Sequence, residues 1–420
     1  MRILDMTQYE AGPSCTQALA WLGADVVKVE RPGTGDPGRG LSKYSAMDSE
    51  YFLNWNCNKR SVTLHLDRPD GREVLLKMLP HYDVFVENYG PGVVEKLDID
   101  YDVMKEVHPG IIYARVKGFG TSGPYSHYKC FDAVAQAAAG VMSTTGEPDG
   151  PPMRTGPTIG DVGTGIQLAL AILAAYVQKQ RTGVGQLIEY SMQEAVTYLM
   201  RTRLAHGAPN SERPSQRTGP GEGPAMNLYA CKPFGPNDYI YIMAVTPRMR
   251  KDLYKAIGRA DMQEGERPTS REGWMERAEA LKVAVAEWSR GYTKHEAMRI
   301  MCEGGVPASA VMDTHDLFHD PHLKARGFVQ AVQHEEMGER PLLGWPARMS
   351  ESQVPIQASP LLGKHTTEVL MQDLGLSEDD VRGYLIARKK EGASPRLLLG
   401  ELRAFRQAWK WCVKRDLIPA

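Results

Sequence analysis

The sequence predicts an α/β protein of two domains. Three observations carry this reading: the chain length, an alternation of short apolar runs with helical periodicity through the first half, and a change of composition near residue 206. At 420 residues the chain exceeds what one compact core holds. Short β-branched runs bounded by polar or Gly/Pro residues fit strands buried on both faces. Strand–helix alternation then implies a parallel sheet whose ligands bind at the strands' carboxyl ends.

Runs at 3–6, 26–30, 84–87 and 111–116 predict strands, and 14–22, 71–79, 101–108 and 133–142 predict helices. A long helix is expected over 161–180, stopped by Thr182-Gly183, followed by a strand over 185–191 and a helix over 192–204. Residues 206–224 are rich in Pro, Gly, Ser, Asn and Arg and predict a linker or mobile loop. A second alternating region at 229–311 predicts a smaller α+β domain. Residues 326–360 read as irregular and Pro-rich, with helix resuming afterwards. The stretch 388–420 carries nine basic residues against three acidic ones, with Leu397, Leu398, Leu402, Phe405 and Trp409 near one helical face.

Lys plus Arg total 50 against 51 Asp plus Glu, a net charge of −1 that argues against a nucleic-acid partner. An apolar content of 42% with 24% charged residues is ordinary for a folded protein and excludes a disordered one. The apolar run 166–177 is shorter than the roughly 18 residues that a membrane span needs, and residues 1–5 show no signal-peptide pattern. Six cysteines without a Cys-x-x-Cys pair read as reduced thiols. Together these predict a cytoplasmic protein with no membrane partner.

The segment most charged with chemistry is Thr158-Ile159-Gly160-Asp161-Val162-Gly163-Thr164-Gly165. Asp161 stands where a helix begins, so its carboxylate suits an N-cap that satisfies first-turn N–H groups. It equally suits a nucleophile held at a helix N-terminus, flanked by glycines that admit a substrate. The residues alone leave both readings open. His315 and His319 lie one helical turn apart, a zinc-like spacing, but Asp320-Pro321 would break the helix, and no metal is expected.

An ordered set of segments resembles the class III CoA-transferases, the formyl-CoA transferase and carnitine CoA-transferase family (the CaiB/BaiF type), with the oxalate-linked branch nearest. The set comprises Ala11-Gly12-Pro13-Ser14-Cys15-Thr16-Gln17, Leu22-Gly23-Ala24-Asp25-Val26-Val27-Lys28-Val29-Glu30 and Asn56-Cys57-Asn58-Lys59-Arg60-Ser61. It continues with Val86-Glu87-Asn88-Tyr89-Gly90-Pro91-Gly92, Arg181-Thr182-Gly183-Val184-Gly185-Gln186, Asp320-Pro321-His322-Leu323-Lys324-Ala325-Arg326-Gly327 and Pro360-Leu361-Leu362-Gly363-Lys364-His365-Thr366, covering roughly residues 1–385.

The resemblance implies that Asp161 is the nucleophile and that CoA moves from an acyl-CoA donor to a free carboxylic acid through an aspartyl-CoA thioester. It implies catalytic parts for Glu10 and for Gly221, Glu222 and Gly223, the last three in a glycine-rich loop that would cover the site. Coenzyme A, as substrate rather than permanent cofactor, is implied to meet Gln8, Tyr9, Ala11, Arg31, Arg39, Asn88, Tyr89, Gly90, Lys96 and Lys129. The chain departs from the oxalate-linked branch where Lys96 replaces an arginine and where Pro220 and Glu222 interrupt a glycine run, and, with most bearing on substrate, where Glu10 replaces a glutamine, Leu41 a tryptophan and Phe131 a tyrosine. A glutamate changes both charge and hydrogen-bonding sense next to an acid substrate.

Two other readings compete. An α-methylacyl-CoA racemase would place a histidine two residues before a helix, where this chain reads Cys130-Phe131-Asp132, with His127 out of register. A non-catalytic CoA-binding protein is the other, and a dinucleotide-binding domain lacks its Gly-x-Gly-x-x-Gly after the first strand. The expected architecture is a Rossmann-like parallel-sheet large domain made from both chain ends plus a smaller inserted α+β domain, with an interlocked homodimer implied by the resemblance. Its expected divisions are 1–205 (large CoA-binding domain), 206–228 (linker), 229–325 (small domain), 326–387 (return linker and end of the large domain) and 388–420 (basic helical extension).

Overall fold

The structure, a computed structural model, describes residues 1–41, 48–205, 214–263 and 268–375. The expected basic helix at 388–420 and the first part of the 206–224 linker lie outside the described residues. The chain divides into two compact units. One contains Met1–Val141, Arg154–Ala205 and the chain from Gly327, and the other contains Met142–Met153 together with the chain that ends at Arg326.

The first unit is built on six parallel strands: β1 (Arg2–Asp5), β2 (Asp25–Glu30), β3 (Lys59–Thr63), β4 (Val84–Glu87), β5 (Ile112–Lys117) and β6 (Leu187–Ser191). Their order is β3-β2-β1-β4-β5-β6, the doubly wound arrangement, with the reversal of direction between β1 and β4. Alternation along the strands feeds two cores. Ile3, Val26, Val84, Val86 and Ile112 face one side, with α1 (Ala11–Trp21), α6 (Asp132–Ala138), α7 (Val162–Thr182) and α8 (Met192–Leu199) supplying the opposing apolar side chains. Leu4, Val27, Val29, Phe85 and Tyr113 face the other, against α3 (Pro69–Met78), α5 (Tyr101–Val107) and α15 (Thr366–Leu374). The pattern is that of a three-layer sheet, in which each strand must be apolar on both faces.

Several elements escape the sequence reading. Residues 56–61 were expected as a motif only, whereas α2 (Glu50–Asn56) and β3 occupy this stretch. β3 reads poorly because Lys59 and Arg60 are charged, and Lys59 is buried. The expected irregular stretch 326–360 holds an antiparallel hairpin, β10 (Val329–His334) with β11 (Gly338–Leu343), in which Pro341 pairs with Ala331. A proline is tolerated there because a two-stranded ribbon has only edges. The expected helix over 192–204 is two helices, α8 and α9 (Arg201–Ala205), with Met200 between them. Among the described residues one helix, α7, is long and apolar enough to cross a membrane by length and composition. This corrects the expectation drawn from 166–177, since the helix runs beyond that stretch at both ends. It packs on α1, where a side chain at Gly165 would meet the Ala11 carbonyl oxygen at 2.6 Å.

The second unit has its own core under an antiparallel sheet of β7 (Met226–Ala230), β8 (Tyr239–Met243) and β9 (Ala308–Ala310). Helices α10 (Pro247–Ala256), α11 (Arg271–Ser289) and α12 (Lys294–Glu303) supply the facing side chains. Beyond β9, α13 (Thr314–His319) stops at Asp320 and α14 (Pro321–Ala325) starts anew.

Beneath the carboxyl ends of β1–β3 runs a buried ionic network. Lys59 Nζ reaches Asp5 Oδ2 at 3.0 Å, the Pro13 carbonyl at 3.1 Å and Asn56 Oδ1 at 2.9 Å. Lys28 Nζ donates to the Thr7 carbonyl at 2.6 Å and lies 2.9 Å from Asp36 Oδ2. Burial opposes the ionised form of Asp5, but the ammoniums of Lys59 and Lys28 outweigh it and hold its pKa at about 2. Glu30 is likewise held at about 2: burial again works against it, and the Arg39 guanidinium prevails. Both acids therefore contribute stability that is complete above the unfolded carboxylate range and lost as pH falls toward 2. Asp5→Ala would leave Lys59 buried and uncompensated, and urea unfolding at neutral pH should show a loss of about 3–5 kcal/mol.

Candidate active site

The nucleophile candidate sits at the tight turn that leads into α7. Asp161 is the residue immediately before α7, and its side chain makes no capping hydrogen bond. That removes the cap reading: the carboxylate is left for other work. The turn needs glycine at 160, where a side chain would meet the Asp132 carbonyl oxygen at 2.6 Å. Gly160 N–H donates to Asp132 Oδ1 at 2.8 Å, while Asp132 Oδ2 accepts from Gln136 Nε2 at 2.8 Å. Asp132 is buried at the start of α6 and thereby fixes the backbone that presents Asp161.

Glu10 closes the group. It precedes α1, is buried, and makes no capping bond of its own. Its Oε1 accepts from the Thr158 hydroxyl and its Oε2 from the Tyr51 hydroxyl at 3.3 Å. Three carboxyl groups thus share one region, and the electrostatics follow. Asp161 is pushed up to about 7, first by burial and then by the charges of Glu10 and Asp132. Glu10 is raised by burial, with Thr158 and Tyr51 pulling the other way and Asp132 adding to the rise. A helix N-terminus should favour an ionised carboxylate, yet like charge and burial win here. The charges acting on Asp161 come from carboxylates and not from an imidazole, and Phe131 stands beside Asp132 where a racemase would carry histidine.

The strand-order reversal assembles a second group. At the carboxyl ends of β1 and β4, Gln8 and Asn88 exchange two hydrogen bonds of 2.8 Å each, backbone N–H to Oδ1 and Nδ2 to backbone carbonyl. Gln8 Nε2 donates to the Tyr89 hydroxyl at 3.0 Å. Tyr9 has φ of 60°, a left-handed conformation unusual outside glycine, and its N–H donates to Asp36 Oδ1 at 3.1 Å. Ala11 is buried at the start of α1, while Gly90 is exposed after β4. Gln8, Tyr9, Asn88, Tyr89 and Gly90 therefore lie where an open parallel sheet binds ligands.

Arg39 needs correction. It is buried, and all five of its N–H groups are taken by Glu30, Asp48 and the Pro360 carbonyl, with the guanidinium 3.7 Å above the Phe52 ring. No donor remains for a phosphate, so Arg39 is a structural cation. Arg31, Lys96 and Lys129 are exposed, and Arg31 lies 3.7 Å from Asp67. The glycine-rich loop belongs to the second unit. There Glu222 N–H donates to the Met226 carbonyl at 2.9 Å and Gly223, at φ 135°, turns the chain into β7. Gly219 N–H donates to the Gly146 carbonyl at 3.1 Å, joining the loop to the Met142–Met153 segment.

Asp132 and Thr158 are functional candidates that the sequence reading did not single out. The available signal was an Asp at the start of a helix directly after Phe131, which reads as ordinary helix polarity until Gly160 is seen to need it.

Comparison with known proteins agrees with this architecture. The sequence matches the family model of CoA-transferase family III over residues 1–366, and the chain belongs to that family. It is therefore a class III CoA-transferase. It is 41% identical over 398 residues to a formyl-CoA:oxalate CoA-transferase of Streptomyces avermitilis, covering 91% of this chain and 96% of that one. A formyl-CoA:oxalate CoA-transferase of Rhodopseudomonas palustris is 40% identical over 405 residues, covering 91% and 94%. A CAIB/BAIF family protein from Brucella suis has a similar structure, with a TM-score of 0.78 at 26% identity, over 89% of this chain and 98% of that one.

The raised Asp161 carboxyl has a consequence for stability. A folded-state pKa above the unfolded value means that the native state loses stability as pH climbs from about 4 through about 7. Asp161→Asn should therefore unfold at a higher urea concentration than the native chain at pH 8, by at least about 1 kcal/mol, with the difference vanishing near pH 4.

Proposed function

We propose that the chain transfers CoA from an acyl-CoA, formyl-CoA among the candidates, to a free carboxylic acid through covalent Asp161 intermediates. The observation that carries this is a carboxylate at a helix N-terminus with no capping duty and a pKa raised to about 7. A raised pKa makes the anion a better nucleophile while leaving about half of it ionised at neutrality and most of it above. One Asp161 oxygen attacks the donor's thioester carbon, the C–S bond breaks, and a mixed anhydride forms with release of CoA thiolate. The thiolate attacks the Asp161 acyl carbon, giving aspartyl-CoA and the donor acid as carboxylate. The acceptor carboxylate then attacks the same carbon, displacing thiolate, which attacks the acceptor's carbonyl and restores the Asp161 carboxylate. No water and no permanent cofactor enters this balance.

First-turn N–H groups of α7 would hold the oxyanion formed on each attacked carbonyl. The CoA moiety would lie along Gln8, Tyr9, Ala11, Asn88, Tyr89 and Gly90, with Arg31, Lys96 and Lys129 as phosphate partners. Gly221, Glu222 and Gly223 would cover the site and keep water from hydrolysing the anhydride. The protein works in the cytoplasm as an interlocked homodimer in this reading. In support of a second copy, Ile166, Leu170 and Val177 of α7 and Tyr198 and Leu199 of α8 are exposed.

Incubating the protein with acyl-CoAs and measuring intact mass tests the covalent step. A hydroxylamine-sensitive adduct of CoA mass on Asp161, absent from Asp161→Ala, is the expected result, together with loss of transfer by more than about 10³-fold in that variant. Because Asp161 must be ionised to attack, kcat/KM should fall as pH drops below about 7. A CoA-binding chain without an adduct would contradict the mechanism.

A further inference from the structure

The candidate nucleophile is crowded by negative charge. Glu10, Asp132 and Asp161 come together, and Asp132 is committed to Gly160 and Gln136. Three buried cations of the first unit are engaged by other partners. Lys28 serves Asp36 and the Thr7 carbonyl, Lys59 serves Asp5, and Arg39 serves Glu30 and Asp48. Once Asp161 carries CoA as a thioester its own charge is gone, but the carboxyls of Glu10 and Asp132 remain.

An acceptor with a single carboxylate spends that charge on the attack. A dicarboxylate brings a second carboxylate into the neighbourhood of Glu10, which meets it with like charge, and a glutamate anion has no proton to donate to it.

The flanks of the same loops are aromatic. Tyr9, adjacent to Glu10, and Phe131, adjacent to Asp132, meet edge to face with ring centroids 6.0 Å apart. Phe131 is 63% exposed and Tyr9 38%, so this pair is solvated rather than used in the core. Cys130 beside it is raised to about 11, first by burial and then by the Asp161 and Asp132 charges, which places the 130–131 turn within the field of the nucleophile. Further along, Phe119, Tyr125 and Tyr128 form a mutually packed aromatic group, and Thr121 in their loop is held by Glu189.

Resting on the transferase reading above, we propose that Glu10 is a specificity-determining residue and that the acceptor is a monocarboxylic acid with an apolar or aromatic substituent, received by Tyr9 and Phe131, rather than a dicarboxylate such as oxalate. Apolar contact with two solvated rings stabilises such a substituent, and the absent second charge removes the penalty that oxalate would meet.

The test separates this from the transferase reading by splitting the reaction. Asp161 is first loaded with CoA from an acyl-CoA donor and the adduct is isolated. If no donor loads it, the transferase reading fails before any acceptor is added. With the adduct in hand, single-turnover discharge is timed with phenylacetate, acetate and oxalate. Phenylacetate should discharge it at least about tenfold faster than oxalate. In Glu10→Gln, which keeps the shape and removes the charge, oxalate should gain at least about fivefold relative to phenylacetate. In Phe131→Ala, phenylacetate should lose more than acetate does. Oxalate discharging the native adduct as fast as phenylacetate, discharge by neither acid, or an oxalate ratio unmoved in Glu10→Gln would each overturn the proposal.

Discussion

A buried ionic network beneath the carboxyl ends of β1, β2 and β3 is the constraint on which the site depends. Lys28 holds the Thr7 carbonyl, Lys59 holds Asp5 and the Pro13 carbonyl, and Asp36 holds the Tyr9 N–H and the Gly38 N–H. Between Thr7 and Pro13 lie Gln8, Tyr9 and Glu10, so the loop that carries the site residues is pinned at both ends and in the middle. The left-handed backbone at Tyr9 is held in this way, since the Asp36 contact offsets part of its strain. Lys59 is pushed down to about 8 by burial and by the Lys28 ammonium, against the pull of Asp5. The network is therefore closely balanced in charge, and breaking one member leaves its partner unpaired.

The network also explains why Arg39, which looks available in the sequence, is not. Arg39 has every donor filled, and its Pro360 contact ties the chain beyond Gly327 back onto the first strands. That segment closes the unit through further contacts: Gly363 N–H to the Ser61 hydroxyl, Asp373 with Arg2 and Tyr82, and Thr366 with Thr63. Lys28, Lys59 and Arg39 are held in the network, while burial and then the charges of Glu10 and Asp132 act on Asp161. The same unit thus combines a paired ionic network with a raised Asp161 carboxyl.

Much of the first unit was legible in the sequence, because two-faced strands need unbroken apolar runs and the long α7 ends at a glycine in the left-handed conformation. Asp161 was legible as a helix-start carboxylate, but that its side chain makes no capping bond is seen only in the folded chain. β3 was hidden because Lys59 and Ser61 point charge and polarity into a buried network that only the folded chain assembles. Arg39 was misread because its partners Glu30, Asp48 and Pro360 are dispersed along the chain. Asp132 was missed for a similar reason: its purpose is to hold Gly160, a contact between residues 28 positions apart.

The chemistry proposed for the site depends on a carboxyl at 161 crowded by two others. Isotope-edited infrared titration of the carboxyl carbonyl band, native chain minus Asp161→Asn, measures its ionisation directly. The account predicts a protonated-carboxyl band that disappears with a midpoint at about 7. A midpoint near about 4, that of an ordinary aspartate, would contradict it.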